Sequence, residues 1–270
     1  MKDITIGIMG IGFVGNALKT LFETGDLRVS YYDKYKEEYS SESDLSSTLS
    51  ADVIFLCVPT PFDWEVLDYD YSAIEDCLKQ IPTDKLVVVK STVQPGTCKK
   101  LSSEYGHEIV FNPEFLREAT SIKDMIDADR TVLGGEVNNC QTVCNIYKRV
   151  YPFEMKYIFT SWEIAELTKI ATNSFLATKV SFCNEIEDFC NKINVPYDAF
   201  REVWLEDSRI GRSHTQVTDK GGFSGNCFPK DLNALITRME LVDSISDLHK
   251  ATWNTNCEVR TEFRDKQYKR

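Results

Sequence analysis

An α/β architecture, a doubly wound parallel sheet followed by a helical second domain, is predicted by three features of the chain. The first half alternates short β-branched runs with helical stretches, a glycine-spaced turn closes the first run, and from about residue 160 the pattern becomes one long helix. The 270 residues, 42% hydrophobic and 27% charged, have the composition of an ordinary globular chain with length for two domains. We place these at 1–157 and 158–270.

Strands are predicted at residues 4–9, 29–32, 53–58, 86–90, 109–111 and 131–134, six in all and enough to complete the sheet. Between them, residues 16–23 and 71–80 carry apolar side chains at helical spacing. The segment WEIAELTKIATNSFLATKVSFCNEIEDFCNKI should form a helix of about seven turns or more, with Thr160 and Glu163 as a capping box at its start. Val195 and Pro196 form the turn that ends it. A long helix after a completed sheet leaves the first domain and founds the second. Beyond it lie DAFREVWLE, a glycine-rich loop over 211–225, and a final helical segment from about Pro229 to the basic terminus RDKQYKR.

Charge and composition exclude several roles. Acidic residues outnumber basic ones 42 to 31, and a net charge of −11 repels a phosphate backbone, so nucleic acid is not an expected partner. No apolar run approaches the roughly 18 residues that span a bilayer, and MKDITIGIMG enters a strand without a cleavage site, so a cytoplasmic protein off the membrane is expected. The nine cysteines (Cys57, Cys77, Cys98, Cys140, Cys144, Cys183, Cys190, Cys227, Cys257) include no C-x-x-C pair, and no metal site is expected. In a reducing compartment most of them read as small buried hydrophobes, with one or two reactive at most.

Gly10, Gly12 and Gly15 stand in G-x-G-x-x-G spacing, directly after a strand and opening a helix. Gly10 makes the tight turn, Gly12 lets a pyrophosphate approach the backbone, and Gly15 permits close helix packing. The helix N-terminus then offers free N–H groups and a positive dipole end to phosphates. Eighteen residues after Gly15 the second strand ends at Asp33, whose carboxylate can bind ribose hydroxyls and repels a 2′-phosphate. This is a Rossmann-like dinucleotide site with NAD favoured over NADP. The neighbouring Lys34 reads as solvated.

Two further groups carry candidate chemistry. Lys169 and Asn173 lie four residues apart on the long helix, and so share a face. They are either a cation and amide that stabilise an oxyanion or a solvated lysine and a surface asparagine. In GGFSGNCFPKDL, Cys227 precedes a predicted helix, with Lys230 three residues on and Asp231 one turn beyond. That setting lowers a thiol pKa, and Asp231 can position a water or accept a proton; the alternative is a buried, inert cysteine.

The chain resembles the nucleotide-sugar dehydrogenases, the UDP-glucose/GDP-mannose dehydrogenase family, through GIMGIGFVG, CVPTP (57–61), KSTVQPGT (90–97), NPEFLREA (112–119), DADRTVLGG, AELTKIATNSFLATKVSFCNE and GGFSGNCFPKDL. The ordered motifs run through essentially its whole length. The resemblance implies a four-electron oxidation, UDP-glucose to UDP-glucuronate first among the candidates, through a thiohemiacetal and thioester on Cys227, and hence a place in supplying polysaccharide precursors. It assigns the cofactor to Gly10, Gly12, Phe13, Val14, Gly15, Asp33, Val58, Pro59, Thr60, Pro61, Ser91, Thr92 and Glu118. The substrate falls to Glu114, Phe115, Leu116, Arg117, Glu118, Lys169, Asn173, Gly222, Phe223 and Arg209, the last reaching the partner subunit's substrate. It makes Cys227 the nucleophile, Glu114 the base for hydrolysis, Thr92 part of a water network, Lys169 and Asn173 the oxyanion pair, and Asp231 the holder of a water.

The resemblance implies a third domain that grips the nucleotide, and the 270 residues are expected to stop short of it. Weak substrate affinity, a separate chain supplying that domain, or another substrate are the open consequences. Ser224 and Asn226 stand where the family has a glycine and a small residue, and His214 either touches substrate or caps a turn. The competing readings are a two-electron β-hydroxyacid-type dehydrogenase, against which Cys227 argues, and an inactive NAD-binding dimer. A homodimer through the helical half is expected in each case.

Overall fold

The computed structural model describes residues 4–151 and 155–268. The chain packs as two units, Met1–Thr60 with Tyr69–Lys169, and Pro61–Asp68 with Ile170–Arg270. Among the described residues the strands in chain order are β1 (Thr5–Met9), β2 (Arg28–Tyr32), β3 (Val53–Leu56), β4 (Phe62–Asp63), β5 (Asp68–Tyr69), β6 (Leu86–Val89), β7 (Glu108–Phe111), β8 (Arg130–Gly134) and β9 (Lys156–Thr160). The helices are α1 (Phe13–Phe22), α2 (Glu42–Leu49), α3 (Ser72–Gln80), α4 (Thr97–Tyr105), α5 (Ser121–Ile126), α6 (Val137–Tyr147), α7 (Trp162–Lys192), α8 (Tyr197–Trp204), α9 (Phe228–Glu240) and α10 (Asp247–Val259).

In the first unit β3 and β6 are uninterrupted apolar runs, VIFL and LVVV, as strands covered on both faces must be. They sit inside a seven-stranded sheet of order β2-β1-β3-β6-β7-β8-β9. Alternate residues feed two layers. Ile6, Ile8, Phe55 and Val88 pack with Leu18 and Phe22 of α1 on one side, where Phe22 and Phe55 meet edge-on at 5.3 Å. Ile54, Leu56, Val87 and Val89 pack with Ile74 and Leu78 of α3 on the other. Each such buried side chain contributes about 1.5–3 kcal/mol.

The sheet departs from the all-parallel, six-stranded expectation. β8 pairs antiparallel to β7, and β9 extends the sheet parallel to β8. The β9 segment KYIFT is half-buried at an edge, and so lacks the continuous apolar signal of the inner strands. The two-residue strands β4 and β5 are too short for any periodicity to reveal.

Helix α7 runs for 31 residues. Its first turn is bonded to Ser161, whose Oγ accepts from Ile164 N–H at 3.4 Å, while Thr160 belongs to β9, so the capping box expected from Thr160 does not form. The two units divide inside α7, after Lys169. Its first turns belong to the sheet for a physical reason. Ala165 is fully buried against Gly134, where an added Cβ would approach to 2.7 Å. Glu166 accepts the Gly96 and Cys98 N–H groups at 2.6 and 2.8 Å, capping α4, whose own N-cap glycine has no side chain to offer.

The second unit comprises the rest of α7 with α8, α9 and α10. The final helical segment is two helices, α9 and α10, separated by a turn with Asp243 at φ +54. Leu232 and Ile236 of α9 and Trp253 and Cys257 of α10 pack with Ala177 of α7 and Phe223. Residues 61–68 join this unit because Trp64 stacks on Trp253 at 5.6 Å and lies beneath Lys266 Nζ at 4.1 Å. Among the described residues no helix is long and apolar enough to cross a membrane.

Candidate functional site

The glycine turn between β1 and α1 has the space each glycine was predicted to provide. Gly10 sits at φ +88, donates its N–H to Tyr32 at 2.9 Å, and leaves no room for a Cβ, which would lie 2.8 Å from the Cys57 carbonyl oxygen. A Cβ on Gly15 would come within 1.9 Å of the Gly10 oxygen, so the helix rests directly on the turn. Gly12, the N-cap of α1, faces open space with no atom within 4 Å of a Cβ position. Phe13 and Val14 follow in the first turn of α1, half-buried.

Asp33 has a task the sequence did not reveal. Its Oδ2 accepts the Ile11 N–H at 2.7 Å and its Oδ1 the Tyr35 N–H at 2.9 Å, so the carboxylate braces the turn from the end of β2. Lys34 lies 5.0 Å from the Tyr35 ring. The loops after β3 and β6 are stitched together, Ser91 Oγ donating to Val58 O at 2.6 Å and Thr60 Oγ1 to Thr92 O at 2.8 Å. The turn after β1 and the loop after β3 lie where the strand order reverses, at the carboxyl ends of the strands, where open α/β sheets bind ligands. Pro59 is exposed beside them, and Pro61 begins the segment assigned to the second unit.

A buried ion pair forms the next feature of the first unit. Lys169 Nζ meets Glu114 Oε1 at 2.8 Å with both residues buried, and Glu114 Oε2 accepts the Leu116 N–H at 2.6 Å. Lys169 is therefore no solvated lysine. Phe115 lies beneath two cations, with Lys169 Nζ 5.7 Å and the Arg130 guanidinium carbon 5.3 Å from its centroid. Arg117 and Glu118 turn away from this pair: both are exposed, and Arg117 pairs with Asp124 at 2.6 Å.

Sequence reasoning missed a second buried cation, Lys90, at the end of β6. Its Nζ donates to Asn112 Oδ1 at 3.0 Å, to Asn112 O at 3.3 Å and to Tyr147 OH at 3.5 Å. Asn112 reaches on to Thr131 Oγ1 and Val132 O, and Tyr147 OH donates to Asn112 Oδ1 at 2.6 Å. This network anchors the backbone two residues before Glu114. Burial pushes the Lys90 pKa down to about 8, Lys169 acts in the same direction, and Cys57 and Glu114 oppose it. A lysine ending the apolar run LVVVK was the available signal.

In the second unit Asn173 Nδ2 donates to Asp231 Oδ2 at 2.6 Å, and Lys230 Nζ meets Asp231 Oδ1 at 2.6 Å. Asp231 is fully buried, so its negative charge is balanced inside the fold rather than by solvent. Asn173 is buried too, which removes the surface-asparagine alternative. Cys227 is the N-cap of α9, and all eight other cysteines are buried while Cys227 is half-buried. Burial pushes the Cys57 and Cys77 thiols up to about 12, as expected of inert positions.

Arg209 projects outward with its side chain 86% exposed and holds Asp207 at 2.5 Å. His214, at φ +61, lays its ring 5.4 Å from Phe228. Gly222 is at φ +50, and Phe223 is buried beside it.

Residues 25–152 match the UDP-glucose/GDP-mannose dehydrogenase family, NAD binding domain, and residues 163–258 match the central domain of the same family. UDP-glucose 6-dehydrogenase of Rickettsia typhi is 33% identical over 260 residues, spanning 85% of this chain and 59% of that protein. UDP-glucose 6-dehydrogenase TuaD of Bacillus subtilis is 31% identical over 264 residues, spanning 93% and 56%. Among solved structures, a UDP-glucose dehydrogenase from the hyperthermophilic archaeon Pyrobaculum islandicum matches with a TM-score of 0.81 at 28% identity, covering 94% of this chain and 68% of that one. The chain spans less than two thirds of the length of these two curated relatives.

Proposed function

The chain belongs to the UDP-glucose/GDP-mannose dehydrogenase family, and from that premise we propose that it oxidises a nucleotide sugar, UDP-glucose first among the candidates, to the uronate by way of a covalent bond to Cys227. The observation that carries the reading is Cys227 itself: of nine cysteines it alone escapes burial, and it stands at the head of a helix.

The turn fits NAD. Gly12 leaves the approach to the α1 N-terminus open for a pyrophosphate, and Asp33 at the end of β2 would meet the ribose. When bound, NAD takes up the hydride released at the sugar carbon in each oxidation. Lys169 and Asn173, one turn apart on α7, donate hydrogen bonds to the oxygen on that carbon and stabilise its negative charge as the alcohol proton passes to a water held by Asp231.

The Cys227 thiolate then adds to the aldehyde carbon, forming a C–S bond while the oxygen takes a proton to give a thiohemiacetal. Loss of that proton and a second hydride leaves a thioester. Water gives a proton to Glu114 and attacks the thioester carbon, the C–S bond breaks, and Cys227 returns as thiolate beside the free uronate. Asp231 holds Asn173 Nδ2 on one oxygen and the Lys230 ammonium on the other, and so fixes the amide's orientation.

The reading includes a homodimer. Phe175, Phe182 and Phe189 recur every seven residues on α7 and are all exposed, the seam of a helix that packs on a second copy. Cytoplasmic residence and a nucleotide-sugar partner complete the proposal.

The test is NADH formed per sugar consumed by the purified chain with NAD and UDP-glucose, beside Cys227→Ser. Two NADH per sugar, lost in the variant, is the expected result. No NADH with UDP-glucose or any other nucleotide sugar, or two NADH from Cys227→Ser, would overturn the proposal.

A further inference from the structure

The loop leading to Cys227 is held from behind by two asparagines that the chemistry above does not use. Asn256, fully buried on α10, spends both ends of its amide on one residue: Oδ1 accepts the Phe223 N–H at 2.7 Å and Nδ2 donates to the Phe223 carbonyl at 3.0 Å. It thus pairs with the loop as a neighbouring strand would. Asn184, buried on α7, accepts the Gly222 N–H on Oδ1 at 2.9 Å, and its own Nδ2 is tied to Val180 O at 2.8 Å. Two consecutive loop amides therefore end on buried side chains.

The surrounding contacts crowd this loop at Gly221 and Gly222. Gly221 and Gly222 sit at φ +61 and +50, and added Cβ atoms would lie 2.5 Å from Val259 Cγ1 and 2.5 Å from Asn256 Oδ1 respectively. Arg260 donates to Ser224 Oγ at 2.6 Å. The Phe223 ring meets Phe228, the residue after Cys227, edge-on at 6.1 Å, and Trp253 of α10 at 6.2 Å. The thiol is bracketed: the backbone is held at Gly222 and Phe223 before it, and the Phe228 ring is packed after it.

We propose that Asn256, backed by Asn184, is a positioning residue for Cys227, so that α10 sets where the thiol stands when the aldehyde forms. The inference rests on the reading of Cys227 as nucleophile. A buried amide pair is costly to leave unmatched, so the loop has one favoured register on α10. Capture of an aldehyde demands close placement, and a shift of about 1 Å can cost on the order of 100-fold in rate. Loosening the clamp should therefore spare the first oxidation and let aldehyde escape before capture.

The experiment compares the full-length wild type, Asn256→Ala and Asn256→Asp, the last keeping an oxygen for the Phe223 N–H. Hydrogen exchange at the Phe223 amide should quicken at least tenfold in Asn256→Ala and recover in part in Asn256→Asp, with amides of α9 and α10 protected as in wild type. In turnover, Asn256→Ala should release aldehyde trappable by semicarbazide, bringing NADH per sugar from two towards one, with KM for NAD unchanged. Unchanged exchange at Phe223 overturns the proposal, and so does a freed amide with wild-type kcat and two NADH per sugar. Loss of α9 and α10 protection in both variants would make Asn256 a packing residue only and overturn it as well. If the wild type oxidises no nucleotide sugar, the catalytic reading falls on that result, and the exchange measurement alone decides whether the clamp exists.

Discussion

Replacing Lys90 with methionine should make the protein more stable at neutral pH. The Lys90 ammonium is buried, and its hydrogen-bond partners, Asn112 Oδ1, Asn112 O and Tyr147 OH, are all uncharged. Burial is the largest cause that brings its pKa from the ordinary 10.5 to about 8. At about 1.4 kcal/mol per pKa unit, holding the charged form costs on the order of 3 kcal/mol. Below pH 8 both folded and unfolded chains keep the proton, and the folded protein bears the full cost. Between pH 8 and 10.5 the folded chain releases its proton first, the unfolded chain binds more protons, and stability contributed by this site rises with pH. Lys90→Met removes the cost at pH 7 and forfeits about 1 kcal/mol of hydrogen bonding, since Asn112 Oδ1 keeps Tyr147 OH. The net gain is about 2 kcal/mol, or about 4–8 °C in Tm. Thermal unfolding of both proteins at pH 7 and pH 10 checks it, the advantage of the variant shrinking at the higher pH. A variant less stable than wild type at pH 7, or an advantage equal at both pH values, would refute the reasoning.

Three further predictions test other parts of the structure. Glu166→Ala strips the Gly96 and Cys98 N–H groups of their acceptor at the start of α4 and should lower stability by about 2 kcal/mol, read from the urea midpoint. Gly12→Ala meets no protein atom and should leave Tm unchanged while weakening NAD binding at least tenfold by calorimetry, whereas Gly15→Ala, whose Cβ would lie 1.9 Å from Gly10 O, should lower both. Phe175→Glu with Phe182→Glu places charge on the exposed α7 seam and should yield a monomer in sedimentation.

What the sequence made legible follows from which interactions are local. The glycine turn was readable because strand, turn, helix and Asp33 fall within one short stretch, and the inner strands because burial on both faces writes an uninterrupted apolar run. β9 escaped because an edge strand is half-buried and so carries no continuous apolar run. Lys90, Glu166 and Asn256 escaped for a related reason: a polar residue on an apolar run or helix face reads as solvated until its partner is known. Those partners, Asn112, the α4 N-terminus and Phe223, lie 22 to 70 residues away. The solvated reading of Lys169 and Asn173 was of this kind too, and their burial against Glu114 and Asp231 removes it.

The central claim is a covalent intermediate on Cys227, and the most direct measurement is to trap it. Glu114→Gln, mixed with NAD and UDP-glucose and quenched in acid, should carry a hydroxylamine-labile acyl adduct on the Cys227 peptide by mass spectrometry, with two NADH formed per adduct. Uronate produced with two NADH per sugar and no adduct on Cys227 at any quench time would contradict the account.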